Sequence, residues 1–297
     1  MRHAADARMV ATPSPHALHR APAAELTGQR SGPRAGWSNV YEALRAEWTK
    51  LRTLPGTPWL LAAIVASTVA VSTAATAAVT CPAGGCTIDP ARTSLTGLYL
   101  GQAVAAILGV LVISNEYSTG MIRTTFTAIP RRTTILVAKA VVITGLVLAA
   151  GTIAVAGSLL IGRMLLTSHG FTPTHGYPVL TPADGPVLRA AAGSVLYLAL
   201  IALLSLGIAT TIRDPAPAIG TVLGLLYLDP IIAAVLHDTH WHNAIERYAP
   251  MTAGLTIQAT IGLRSLPIGP WAGLGVLAAW AGAGLVTGGL LLRLRDT

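Results

Sequence analysis

Charge is what this sequence has least of. Of its 297 residues, 11% are Asp, Glu, Lys or Arg, where a water-facing domain carries roughly a quarter, and that shortfall excludes an ordinary soluble fold. Aromatic residues make up only 5%, with two Phe in the whole chain, so no aromatic-rich core of the soluble kind can be built. Lysine occurs twice, at Lys50 and Lys139. A P-loop needs a Lys that follows a Gly-rich turn and precedes Ser or Thr. Lys50 stands between Thr49 and Leu51, and Lys139 between Ala138 and Ala140, so neither can serve a phosphate cradle of that type. The two cysteines, Cys81 and Cys86, are too far apart for a C-x-x-C redox pair. Alternating strand patterns are missing as well, which argues against a β-barrel.

What is present is hydrocarbon. Hydrophobic residues make up 53% and the mean hydropathy is +0.61, carried mostly by Ala, Leu, Val and Ile with Gly, the mixture of helices packed closely in lipid. About 20 residues at 1.5 Å each cross the roughly 30 Å of a bilayer core. Windows of that length fall at 59–79, 95–114, 136–164 (charge-free from Ala140 to Gly162), 190–212, 216–236 and 271–292. The fold expected is therefore an all-α integral membrane protein, a six-helix transmembrane bundle filling 57–297. Residues 1–36, rich in Ala, Pro, Arg and His without apolar periodicity, read as a disordered cytoplasmic tail. No secretory signal is expected, because the first long apolar run starts only at Trp59.

Orientation follows from the cations beside the spans. Arg45, Lys50, Arg52, Arg123, Arg131, Arg132, Lys139, Arg213, Arg293 and Arg295 are ten on one side, against five on the other, Arg92, Arg163, Arg189, Arg247 and Arg264. The positive-inside rule then puts both termini in the cytoplasm of a plasma-membrane protein. The net charge of +8 sits beside apolar runs, where it meets anionic lipid; no basic domain is free to hold nucleic acid. Ala249 to Leu263 is uncharged but short for a crossing, and reads as a re-entrant or interfacial segment on the outer side.

Two segments outside the spans are patterned. Within 37–56, Val40, Leu44, Trp48 and Leu51 recur at helical spacing among Glu42, Arg45, Glu47, Lys50 and Arg52. This predicts an amphipathic helix lying in the headgroup layer, broken by Leu54-Pro55-Gly56. After the second span, the loop from Asn115 carries Ile122, Phe126 and Ile129 at i, i+4 and i+7. That is a short helix with an apolar side, closed by Pro130, after which Arg131, Arg132 and Lys139 anchor the next span at the membrane surface.

This loop, with Glu116-Tyr117, then Gly120, then Ile122-Arg123-Thr124-Thr125, then Pro130-Arg131-Arg132, resembles permeases of the second family of ATP-binding-cassette exporters, particularly small actinobacterial members. The resemblance covers 40–295. It implies that the loop is a coupling helix docking on an ATPase, carried by Glu116, Tyr117, Gly120, Arg123, Thr124, Phe126, Pro130, Arg131 and Arg132. It also implies that Arg45, Glu47, Trp48, Lys50 and Leu51 belong to an elbow helix. Asp229-Pro230 and Arg247-Tyr248-Ala249-Pro250 fit the same family, which has re-entrant outer helices between its fifth and sixth spans. The partners implied are a separate ATPase subunit, a second permease copy or paralogue, and membrane lipid. The chain itself would hold no cofactor, ATP and Mg being bound by the partner.

Further residues remain as candidates. Asp229 is the one charge well inside a span, costly at about 2.5–3.5 kcal/mol, and either lines a pathway or is structural, bonded to Tyr227 or backbone. Gln102 lines the same pathway or makes an interhelical hydrogen bond. Gly97 with Gly101, Gly220 with Gly224 and Gly284 with Gly288 allow close helix approach, within one subunit or across a dimer. Cys81 and Cys86 flank an outer loop where thiols can pair, two free thiols being the alternative. His237, Asp238, His240 and His242 read as a solvated loop rather than a metal site. A membrane enzyme would need catalytic groups converging at one depth, and a non-transporting scaffold or immunity protein would not need an apolar-sided loop. The small, apolar and hydroxyl residues of the spans suit an amphiphilic cargo better than an ion.

Overall fold

The computed structural model describes residues 33–80, 88–120, 132–171, 184–235 and 239–294, and of 33–40, 132, 234 and 239–242 the backbone alone. Among the described residues every regular element is helical. Helix α1 runs over Pro33–Thr53, α2 over Gly56–Ala77, α3 over Pro90–Ser94, α4 over Leu98–Ser118 and α5 over Arg132–Ser168. Then follow α6 at Gly185–Ile212, α7 at Pro215–Val235, α8 at Thr239–Tyr248, α9 at Pro250–Leu255 and α10 at Pro270–Leu294. Six of these, α2, α4, α5, α6, α7 and α10, are long and apolar enough to cross a membrane. The chain is a multi-pass membrane protein.

Breaks between helices fall where backbone chemistry requires them. The chain leaves α1 at Thr53 and re-enters helix at Gly56, because Pro55 supplies no N–H to continue the ladder. Helix α4 ends with Thr119 as C-cap and Gly120 at φ 70°, the left-handed exit that glycine adopts without steric cost. Asp214 Oδ1 accepts from the Ala216 N–H at 3.0 Å at the start of α7, after Arg213 at φ 66° has ended α6.

Within the bundle α6 is the hub, packed against α4, α5, α7 and α10. Burial within the best span window reaches 61% in α4 and α6 but 22% in α2, α7 and α10, so the first pair is interior and the last three are peripheral. Outward-facing Leu228, Ile231, Val286 and Leu290 are exposed, as expected where the surrounding solvent is lipid. Helix α5 has 37 residues, about 55 Å at 1.5 Å per residue, far beyond the 136–164 expected for the third span.

Contacts between helices are close because small residues and hydroxyls line them. The Gly97 N–H donates to Ser72 Oγ at 3.0 Å, joining α4 to α2. Gly207 lies on the backbone of Gly284, where α6 meets α10, and Gly288 lies on Gly207 and Thr210. Gly220 and Gly224 have open space where a Cβ would stand, so among the described residues they alone of the three pairs make no close contact.

At the other end, α8, α9 and the 3₁₀ turn Thr256–Gln258 occupy the stretch between α7 and α10. Pro250, Met251, Ala253, Gly254, Leu255, Ile257 and Gln258 are buried there, so this segment is part of the core rather than a surface loop. Asp89 ties it down. Its Oδ1 caps α3 through the Ala91 and Arg92 N–H groups and accepts from Thr260 Oγ1 at 2.6 Å. Its Oδ2 accepts from the backbone N–H groups of Thr260 and Ile261. Arg189 donates to the Ala259 carbonyl at 2.6 Å.

Candidate functional site

Four ionised side chains meet where α1, α4 and α5 converge. Glu47 and Lys50 are three apart on α1 and so share a face; Glu116 lies in the last turn of α4 and Lys139 in the second turn of α5. Lys139 Nζ lies 2.7 Å from Glu47 Oε2 and 2.7 Å from Glu116 Oε1. It also donates to the Val112 carbonyl at 3.4 Å. All three ammonium protons therefore have acceptors, the condition for burying a lysine. Lys50 Nζ completes the cluster at 3.0 Å from Glu47 Oε1 and 3.1 Å from Glu116 Oε1.

Burial differs sharply among the four. Side-chain exposure is 1% for Lys139, 4% for Glu47 and 8% for Glu116, but 31% for Lys50. Among the described residues the cluster pairs two carboxylates with two ammoniums, so it tolerates a position among apolar helices that a lone charge would not. Burial lowers the Lys50 pKa, but the Glu47 and Glu116 carboxylates beside it outweigh that and hold it above the ordinary lysine value. A carboxylate in the last turn of a helix opposes the helix dipole; the lysines offset this at Glu116. Glu116 Oε2 is buried without a hydrogen-bond partner among the described residues.

Several sequence expectations change here. The inward side of α1 is Ala43, Glu47 and Leu51, with the acid Glu47 on it, while Trp48 is 48% exposed on the outer side. The physical reason is that Glu47 finds lysine partners inside, so the helix turns its acid inward and its tryptophan out. Arg45 is exposed. Glu116 and Tyr117 belong to α4 itself, not to the loop, and Lys139 is not a surface anchor but the most buried of the four charges. The Arg213 guanidinium stacks over the Tyr117 ring at 5.3 Å, linking the end of α4 to the α6–α7 turn. Gly120 is at the exit from α4. Arg123, Thr124, Phe126, Pro130 and Arg131 lie outside the described residues, as do Cys81, Cys86, His237 and Asp238, and the side chains of Arg132, His240 and His242.

Gln102 and Asp229 are not brought together. Gln102 is fully buried; its Nε2 donates to Met251 Sδ at 3.2 Å, and its Oε1 accepts from the Tyr197 hydroxyl. It is thus an interhelical tie between α4, α6 and α9. The Tyr227 hydroxyl donates to the Tyr99 carbonyl rather than to Asp229, and Asp229 is half-exposed on α7 without an ion-pair partner among the described residues.

The ion cluster is absent from the sequence reading, which treats each cation as a surface marker. Its signal is nevertheless there: Lys139 interrupts Ile-Leu-Val-Ala and Ala-Val-Val, and a lysine flanked on both sides by apolar residues must find a carboxylate or pay desolvation. Below the cluster, a groove of about 520 Å³ opens between α1, α2 and α4, with Glu47, Lys50, Glu116 and Lys139 at one end. The chain matches no protein-family model and no curated protein sequence.

Proposed function

We propose that this chain is the membrane permease subunit of an exporter driven by a separate ATP-binding-cassette ATPase. The single observation that supports it is the position of the Glu47–Lys50–Glu116–Lys139 cluster at the base of the segment 119–131. Glu116 is the last charged residue before that segment and Lys139 lies in the second turn of the helix after it, so both flanks are pinned to each other and to α1. A force applied to the segment is then passed to α4, α5 and α1 together instead of being lost in a slack loop. The family resemblance of the same segment supplies the source of such a force, a docked ATPase with ATP and Mg bound in it. On this reading α1 is the elbow helix, the buried stretch from Pro250 to Gln258 is the re-entrant outer segment, and both termini are cytoplasmic. A second permease copy or paralogue completes the path.

This reading predicts an ATP-binding-cassette ATPase encoded beside the chain, and docking is tested by co-purifying the two. Arg123→Glu and Phe126→Asp are expected to release the ATPase while leaving insertion and abundance unchanged. Retention of the ATPase by both variants at the unmodified level overturns the assignment. Glu116 is unsuitable for this purpose, because reversing a buried, paired charge threatens folding itself.

A further inference from the structure

Helices α5 and α6 cross in opposite directions, and two glycines of α5 mark where they meet and where they part. A Cβ on Gly151 would stand 3.4 Å from Leu198 and 3.6 Å from Val195 of α6, whereas one on Gly162 would meet Ser94 of α3 instead. Between those contacts a groove of about 590 Å³ opens along the pair. Leu160, Leu188 and Leu196 form its exposed lips, and the small side chains of Ala156, Ala191 and Ala192 leave the hollow between them. The one polar residue lining it is Thr152, whose hydroxyl donates to the Leu148 carbonyl at 2.7 Å. Nothing in the groove therefore calls for a polar occupant.

A cation stands at its mouth. The α5 stripe that lines the groove runs on from Leu159 and Leu160 to Arg163, on the same helix face. The contact of Gly151 with Val195 and Leu198 sets the register of the pair, and brings Arg163 level with the first turn of α6. Arg163 directly follows the charge-free stretch Ala140 to Gly162, which places it at headgroup depth. It is exposed, and its guanidinium makes no hydrogen bond or ion pair among the described residues.

We propose that this groove holds a glycerophospholipid of the leaflet at the end of the bundle away from the ion cluster, with an acyl chain between α5 and α6 and the phosphate on Arg163. Length, width and charge each select that occupant. From Val187 to Leu196 the groove runs about 14 Å at 1.5 Å per residue, close to half of the roughly 30 Å hydrocarbon core and so the depth of one leaflet. Its volume of about 590 Å³ over that length gives a cross-section of about 40 Å². A helix with its side chains is at least 10 Å across and needs about 80 Å², so a helix of a second copy cannot enter, whereas a file of methylenes packing at about 4 Å can. At the mouth, a guanidinium without a protein partner takes a phosphate in a bidentate, charge-assisted pair. This inference requires only that α5 and α6 span a membrane, and is independent of the proposed ATPase docking.

The test uses the full chain in detergent micelles, labelled by a phosphatidylcholine that carries a photoreactive diazirine in mid-chain, with the cross-linked peptides mapped by mass spectrometry. Cross-links are expected to concentrate in 152–160 and 187–196, above the level on the exposed face of α7 around Leu228 and Ile231. Unlabelled phosphatidylglycerol is expected to compete about tenfold better than the diacylglycerol with the same chains, the scale of one charge-assisted pair. Arg163→Gln, at an exposed position, is expected to level the two competitors. Ala156→Trp and, separately, Ala192→Trp fill the groove from its exposed side and are expected to remove the labelling there while leaving that on α7. Labelling of the groove peptides no denser than that of α7, as for lipid touching any span, overturns the proposal. So do equal competition by the two lipids in the unmodified chain and a phosphate preference that survives Arg163→Gln.

Discussion

Lys139 is held by contacts that have no substitute at that depth. Its ammonium meets Glu47, Glu116 and the Val112 carbonyl, and it is 1% exposed. Lys139→Met keeps the length of the side chain but leaves two buried carboxylates facing Lys50 alone. Breaking a buried pair in this way costs about 3–5 kcal/mol, whereas replacing a whole buried cluster by apolar residues is often neutral. Lys139→Met is therefore expected to lower stability by about 3–5 kcal/mol, and Lys139→Met combined with Glu47→Met and Glu116→Met to recover most of that loss. Unfolding by denaturing detergent titrated into mild micelles measures both. A single variant that loses under about 1 kcal/mol would mean that the cluster does not stabilise the fold. Lys50 differs in kind: its side chain is 31% exposed, so solvent screens its pairs and its removal should cost far less.

At the scale of helices, spacing in the sequence shows that small residues are placed to let helices approach, but not which helix approaches. A Cβ on Gly207 would stand 2.4 Å from the Gly284 carbonyl carbon and 2.6 Å from the Leu285 nitrogen, backbone atoms that cannot rotate aside. Gly207→Ala must therefore push α6 and α10 apart, at a cost of about 1–3 kcal/mol. Gly220→Ala meets nothing within 4 Å, and is expected to be neutral or to stabilise α7 by up to about 1 kcal/mol through helix propensity. Thermal unfolding of the two variants side by side checks the contrast, and equal shifts would contradict this packing of α6 on α10. Gly207 carries the closest glycine contact of that interface yet belongs to none of the spaced pairs visible in the sequence. Six long apolar helices are legible from composition because hydrocarbon imposes a length and forbids charge. The inward face of α1 is not, because the amphipathic pattern puts Trp48 on the apolar side of the helix and Glu47 on the polar side. The partner that reverses this assignment, Lys139, lies 92 residues away in sequence. Asp89 likewise carries no local signal of its role, and only its bonds to Thr260 and Ile261 reveal a tie between distant segments.

For the molecule as a whole, the ion cluster alters the arithmetic of orientation without changing its sign. Ten Lys and Arg flank one end of the spans and five the other. Lys50 and Lys139 are paired with Glu47 and Glu116; setting those two cations aside leaves eight against five, still biased to the end that carries α1 and the segment 119–131. Orientation is set by Lys and Arg near the ends of the spans, with acids contributing little, so that end is expected to face the cytoplasm. Thr119 and Ser265 are exposed and, by the order of crossings, stand at opposite ends. With Cys81→Ser and Cys86→Ser as background, Thr119→Cys is expected to react with a membrane-impermeant maleimide only after the cells are opened, and Ser265→Cys in intact cells. If Thr119→Cys is labelled from outside, the segment after α4 faces away from ATP, and no cytoplasmic ATPase can dock on it.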